Sequence, residues 1–417
     1  MNQNLSVLAS YFMETGNLVA CEIISRRMLT LDSKNPWALN MLGMIASRVG
    51  LPQEARAFFK LARNSDPQNR TIINNIRDLG AANKIRKVIN NQKRFLLIKA
   101  WGYGFWSDFI HVAGCLLLAE ITNRVPVTHW GENSLYKNDL SSDAFRNYFE
   151  PVSDFGIEDL TITEESSFFP KKWNKNNLKA ENHEKFRAAG SSDAAALYLL
   201  NRDETVVVSD FYISVADIAP WLPSNHKMYK KNVEDIYRYL FDKFMRPRQE
   251  VINYADEFCD NFLKRSPFVS VHMRGSDKGV EDPMLSVLND QIFEEIKTIN
   301  PSWPIFLMTD DENILASVKR LFGNRIITTN CQRTSSSSGL HYLDTTNKIE
   351  AGYEVLRDTL IALRADKFIG NGRSNVSAAI SFLRDWGAGG CILVAETSLL
   401  VQNPGLHGIY GDEFFLK

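Results

Sequence analysis

Apolar positions recur in two different rhythms along this chain. Up to about residue 80 they fall at helical spacing, as in the run LNMLGMIASRVGLPQEARAFFKLARNSDP. From Phe95 onward, short unbroken apolar runs alternate with longer amphipathic stretches. Such runs are the pattern of strands buried on both faces. RFLLIKA, RVPVTHW and ETVVVSD read as buried strands, and GYGFWSDFIHVAGCLLLAEITNR reads as a glycine turn followed by a helix. After the proline break MRPRQ, the helix EVINYADEFCDNFLKR precedes the strand FVSVHMR. WPIFLMTDD, RIITT, KFIGN and GCILVAE continue as strands, and ENILASVKRLFG, AGYEVLRDTLIALRAD and SNVSAAISFLRDW read as helices between them. The alternation predicts parallel sheets, and its length predicts two of them.

The first segment follows a different logic. Leu39, Leu42, Gly43, Ala46, Ala55, Phe59, Ala62 and Pro67 stand where a tetratricopeptide repeat places its small and apolar residues. Small residues let the two helices of a hairpin approach, and Pro67 ends the second. One repeat length earlier, Leu5, Leu8, Ala9, Phe12 and Cys21 take matching positions, with Gly16 on Gly50. RTIINNIRDLG reads as a capping helix. An unrelated pair of helical hairpins is the alternative. The basic stretch NKIRKVINNQKR reads as a solvated linker or helix end, with an anionic-lipid contact as the lesser reading. The expected organisation is repeat-like helices over 1–80, a basic linker over 81–94, one Rossmann-like domain over 95–245 and a second over 246–417.

Bulk properties narrow the function. At 417 residues the chain exceeds one ordinary core. A net charge of −1 gives no reason to expect nucleic acid or a general membrane affinity. The apolar run Val112 to Ile121 is too short to span a bilayer, and the amino terminus lacks the pattern of a signal peptide. The five cysteines are scattered and never form a CxxC pair, which argues against a disulfide framework or a zinc site. A reducing compartment, the cytoplasm, is the expectation.

Candidate chemistry collects where strands end. In parallel sheets, ligands sit at the carboxyl ends of strands against helix N-termini. VSVHMRGSDKG presents His272 and Arg274 on one side of a strand, followed by Asp277 and Lys278. Arg274 offers a fork of donors suited to a diphosphate, Lys278 adds a point charge, and Asp277 is placed to orient Arg274. A structural Arg–Asp pair is the competing reading. In GNGRSNVSAAI, Asn371 and Gly372 make a turn, and Ser374 or Asn375 caps a helix whose free N–H groups suit a phosphate. In WGYGFWSD, Gly102 and Gly104 flank Tyr103 and permit close backbone approach to a ligand, although a tight strand-to-helix turn looks the same. MTDDE mimics the DxD of metal-dependent glycosyltransferases through Asp310 and Glu312, but these residues also fit a capped turn. CQRTSSSSGLHY is either a surface connection or a lid. Trp101, Trp106, Trp130, Trp173 and Trp221 all fall in the first Rossmann-like segment, most of them expected in the core.

HMRGSDKGVED resembles the HxRRTDK segment of the α1,6-fucosyltransferases, a family that includes the rhizobial nodulation enzymes. GYG with His111 in the next helix, FLMTDDENIL, SSGLH and the spacing from Asp358 through Asp366 to Ser374 and Asn375 resemble that family's further motifs in order. The resemblance spans Phe95 to about Trp386. It implies a GT-B-like pair of Rossmann-like domains facing one cleft. It further implies that His272 and Asp358 contact the guanine or ribose side of GDP and that Arg274 holds the β-phosphate. Ser374 and Asn375 would lie at the diphosphate, with Lys278 nearby, and Gly102, Tyr103, Gly104 and Asp277 would border the donor. Glu281 or Asp282 takes the place of the catalytic carboxylate. Gly275 departs from the family, many of whose members carry a second Arg there.

The expected activity is therefore inverting, metal-independent transfer from a GDP-sugar, with GDP-fucose as the leading donor, to a hydroxyl of a bacterial glycan or glycolipid. Arg274, Lys278 and a helix N-terminus would stabilise the leaving diphosphate without a metal, and a carboxylate would take the acceptor proton. No cofactor is expected. A protein O-glycosyltransferase whose repeats hold a polypeptide acceptor, and a catalytically inactive repeat adaptor, are the alternatives. Protein partners or self-association are expected at the repeats.

Overall fold

The computed structural model describes residues 2–49, 51–85, 93–137, 143–161, 166–180, 199–200, 202–209, 212–263, 267–276, 282–336, 339–340, 343 and 347–400. Five helices come first: α1 (Asn2–Glu14), α2 (Leu18–Leu31), α3 (Pro36–Arg48), α4 (Pro52–Ser65) and α5 (Arg70–Ile85), each packed on the next. Their limits follow from local chemistry. Asn17 and Asn35 cap α2 and α3 by accepting from the N–H groups of Ala20 and Ala38, at 3.1 and 3.0 Å. Pro36 and Pro52 occupy first-turn positions where no N–H is needed. RTIINNIRDLG forms the start of α5, a 16-residue helix that runs on into the basic stretch as far as Ile85.

Two parallel sheets follow. The first has the order β2-β1-β4-β3, from β1 (Phe95–Lys99), β2 (Val125–His129), β3 (Phe168–Phe169) and β4 (Val206–Ser209). Helix α6 (Phe105–Ile121) crosses from β1 to β2 and is apolar nearly all round, as a fully covered helix must be. The second sheet has the order β7-β6-β5-β8-β9, from β5 (Val269–His272), β6 (Ile305–Met308), β7 (Ile326–Ile327), β8 (Lys367–Gly370) and β9 (Cys391–Leu393). In chain order this is 3-2-1-4-5, the Rossmann-like arrangement. Its crossover helices are α9 (Leu285–Lys297), α10 (Glu312–Phe322), α11 (Lys348–Ala362) and α12 (Asn375–Leu383). Between the sheets run α7 (Val233–Phe244) and α8 (Gln249–Phe258).

Three of these elements extend the sequence reading. Helices α7 and α9 and the two-residue strand β3 were not among the expected elements, and RIITT contributes only Ile326 and Ile327 to a strand. α7 joins the halves: Tyr237 stacks on Phe382 at 4.0 Å, and Arg238 donates to the Phe382 carbonyl at 3.2 Å. Tyr148 and Tyr353 close the other side, donating to the carbonyls of Ile349 (3.2 Å) and Asn147 (2.7 Å). The first five helices share one apolar cluster with the first sheet rather than standing apart. Among the described residues no helix is long and apolar enough to cross a membrane.

Candidate active site

The central strand β5 is buried along all four residues because it pairs with β6 on one side and β8 on the other. Its exit delivers His272 and Arg274 to one cavity of about 120 Å³. Met308, Thr309 and Asp310 from the end of β6 line the same cavity, as do Glu354, Val355 and Asp358 from α11 and Val376 from the start of α12. Cys331, Gln332 and Leu340 close it from the loop after β7, and Tyr136 reaches in from the first sheet's side.

Arg274 pairs with Asp310; its sequence neighbour Asp277, expected to orient it, lies outside the described residues. The Asp310 carboxylate also accepts from the Gly275 N–H at 3.0 Å and from the Ser276 hydroxyl. Burial alone would raise its pKa, but the Arg274 guanidinium and these two donors hold it below the ordinary carboxylate value. The capping role expected of this segment falls to Asp311, which accepts from the N–H groups of Asn313 (2.7 Å) and Ile314 (3.1 Å). Asp311 also explains Gly275: a Cβ there would meet the Asp311 Cβ at 2.4 Å. A second Arg at this position would displace the cap. The next residue, Ser276, adopts a left-handed backbone with φ of 44°, an uncommon conformation for a non-glycine residue.

His272 is buried, its Nδ1 2.7 Å from the Ser377 hydroxyl of α12, which also accepts from the Asn371 N–H at 3.2 Å. Burial and the Arg274 charge depress its pKa to about 4, so the imidazole is neutral at physiological pH. Asp358 accepts from the Thr329 hydroxyl at 2.7 Å, and burial pushes its pKa up to about 7. Burial likewise raises Glu354, which accepts from the Gln332 N–H at 3.0 Å.

Ser374 occupies the N-cap position of α12, but its hydroxyl makes no capping bond, and Asn375 is the first helical residue. The structure thus brings His272, Arg274 and Asp358 to one cavity and sets Ser374 and Asn375 beside its Val376 wall. Gly102, Tyr103 and Gly104 do not line it; they form the turn before α6. Gly102 has φ of 87° and donates its N–H to Asp108 at 2.7 Å, so glycine serves the turn there. At Gly104 a Cβ would meet nothing. Lys278 and Glu281 lie outside the described residues. Asp282 is described: its carboxylate accepts from Arg373 at 3.0 and 3.2 Å and from the Met284 N–H at 3.0 Å.

Sequence reading passed over Arg373, Thr329, Ser377 and Tyr136. Arg373 carried a signal, since it adjoins the Ser374–Asn375 turn; Thr329 and Ser377 carried none. Among the described residues, no group of three or more His, Cys, Asp or Glu side chains is placed to hold a metal ion.

Fold and cavity together define a class: two parallel α/β sheets meeting at a cleft, with Arg274 and a helix N-terminus at the strand ends. The solved structures this chain resembles include fucosyltransferases. The NodZ α1,6-fucosyltransferase soaked with GDP-fucose is 18% identical, over 70% of this chain and 93% of that one, with a TM-score of 0.49; NodZ from Bradyrhizobium is 19% identical, over the same shares, at 0.49. POFUT1 in complex with GDP is 16% identical, over 72% of this chain and 98% of that one, at 0.44. A FUT1 variant from Arabidopsis thaliana in complex with GDP is 11% identical, over 73% and 72%, at 0.43. No family model matches the chain, and no curated protein does. At these identities and TM-scores the function has to be carried by this chain's own residues.

Proposed function

We propose that this protein is an inverting glycosyltransferase that takes its sugar from a GDP-sugar, with GDP-fucose as the leading donor, and needs no metal. The observation that carries the reading is the convergence of Arg274, His272 and Asp358 in one cavity beside the N-terminus of α12. Asp358 would accept from guanine N–H groups. Arg274 and the free N–H groups of α12 would take the charge of the leaving diphosphate.

In the reaction the acceptor oxygen attacks the anomeric carbon from the face opposite the diphosphate. The bond from that carbon to the phosphate oxygen breaks, and its electron pair leaves with GDP. The hydroxyl proton passes to a carboxylate, Glu281 or Asp282. Asp282 would need release from Arg373 to act, which favours Glu281. The metal-free reading draws support from Asp310, whose carboxylate already accepts from Arg274, Gly275 and Ser276. The acceptor is proposed to be a bacterial glycan or glycolipid, and the amino-terminal helices are read as tetratricopeptide-like.

Thermal shift with a panel of nucleotide sugars tests the donor class. Ligand at about a hundred times its dissociation constant adds about 2.7 kcal/mol to stability. GDP-sugars should stabilise the protein while UDP- and CMP-sugars do not, and transfer should survive EDTA. Equal stabilisation by all three nucleotides removes the guanine assignment; loss of transfer in EDTA with recovery in magnesium or manganese removes the metal-free one.

A further inference from the structure

We propose that Trp101, Tyr103 and Tyr212 form a carbohydrate platform on the acceptor side, stacking against a pyranose ring; the proposal rests on the glycosyltransferase reading. Trp101 and Tyr103 follow β1, and Tyr212 follows the adjacent strand β4, so all three gather at the carboxyl edge of the first sheet. The Trp101 ring lies 5.3 Å from that of Tyr103 and 5.9 Å from that of Tyr212. All three residues are half-buried. The other tryptophans expected as candidates are not: Trp106, Trp130, Trp173 and Trp221 are all in the core, none more than 5% exposed. Burial therefore singles out Trp101 from the five.

The cluster is held in place on both flanks. Before it, the Asn133 side chain donates to the Ala100 carbonyl at 3.0 Å; within it, the Gly102 N–H is fixed by Asp108. After Tyr212, the Ile213 N–H donates to His111 Nδ1 at 3.1 Å. Its position also fits an acceptor. Trp106, just after this turn, donates from Nε1 to the Thr359 hydroxyl at 3.1 Å, and Thr359 adjoins Asp358 of the donor cavity. The turn that carries Trp101 and Tyr103 is thus tied to the helix that lines the donor cavity. Fixed aromatic faces offer large amphipathic contact area at small entropic cost, and suit the C–H face of a neutral sugar better than an anionic group.

The test uses the full chain and reads sugar binding without turnover. Saturation-transfer NMR with cellotetraose, maltotetraose and chitotetraose should show ring-proton contacts for at least one of them. Trp101→Ala and Tyr212→Ala should each weaken that sugar about tenfold or more, and Trp101→Phe should retain most of the binding. GDP affinity should stay unchanged in Trp101→Phe and Tyr212→Ala, and Trp101→Phe should also keep the melting temperature, which guards against misfolding of the Ala variant at Trp101. Absence of binding by all three sugars, sugar binding indifferent to both Ala variants, or weakened GDP binding in Trp101→Phe would overturn the platform. So would transfer to a polypeptide that Trp101→Ala leaves intact. Failure of the donor reading shows separately, as loss of selective GDP-sugar stabilisation while sugar binding persists.

Discussion

Replacing Arg274 by alanine should damage both stability and transfer, and the structure separates the two effects. Arg274 and Asp310 are mostly shielded, with side chains 20% and 12% exposed. Removing one partner of a fully buried pair costs roughly 3–5 kcal/mol, mostly because the other charge is stranded. Asp310 would keep the Gly275 N–H and the Ser276 hydroxyl, so about 1–2 kcal/mol is expected here. Loss of a preorganised group that stabilises developing charge is expected to cost transfer about a hundredfold, or about 2.7 kcal/mol. The double variant Arg274→Ala with Asp310→Asn removes the stranded charge. It should recover most of the lost melting temperature while transfer stays at the level of the single variant. Arg274→Lys should rescue little, because an ammonium cannot reproduce the fork. The assay is a thermal melt paired with initial rates of transfer from GDP-fucose. If transfer recovers together with stability in the double variant, Arg274 acts only as a structural partner of Asp310, and its assignment to the diphosphate is wrong.

GDP affinity should rise with pH through about 7, because Asp358 has its pKa raised to about 7 and the ionised carboxylate can accept from two guanine N–H groups at once, which the protonated acid cannot. The same shift means that the contribution of Asp358 to folding in the free protein is full below its ordinary value of 3.8, declines from there, and is gone once pH has risen through about 7. Isothermal titration between pH 5.5 and 8.5 reads the affinity, and Asp358→Asn should flatten the profile; a slope that survives in this variant points instead to Glu354. Glu281→Gln should lose turnover while binding GDP normally, whereas Asp282→Asn should lose less; comparable full activity in both places the base elsewhere. Deleting residues 1–80 should give an aggregating protein, since Arg26 lies over the Trp221 ring at 5.4 Å and Glu54 accepts from the Ser224 N–H at 3.3 Å. A monodisperse truncation on size-exclusion chromatography with unchanged GDP binding would show that this packing is dispensable.

The strands flanking the cavity were legible because each is central, and a strand covered on both faces must be a continuous apolar run. Edges were less so. β7 and β9 pair on one side only, and their ordered lengths shrink to two and three residues. Helix α9 shows why a helix can pass unread. Leu285, Leu288, Ile292 and Ile296 make a regular buried stripe, but Met284 and Val287 beside it are exposed and blur the boundary. The helical start of the chain was legible as helices. Its burial against the sheet that follows was not, because the contacts that make it, such as Arg26 over Trp221, join residues far apart in sequence.

The charged partners were illegible for a related reason, and one register shows it. Parallel pairing of β5 with β6 sets His272 opposite Met308. Arg274 and Asp310 each stand two residues past that last pair, so both chains leave the sheet at one level and their side chains meet. Sequence alone offered Asp277, three residues along the same loop, as the natural companion. Only the order of strands brings in Asp310, a residue from the neighbouring strand. On the other flank Asp282, further along the loop after β5, pairs with Arg373, just after β8. A parallel sheet thus assembles its charge pairs between loops that exit side by side. Given β6 beside β5, the Arg274–Asp310 pair follows from counting residues past the last backbone pair; the Asp282–Arg373 pair does not, because Asp282 stands ten residues past His272 and Arg373 only three past Gly370.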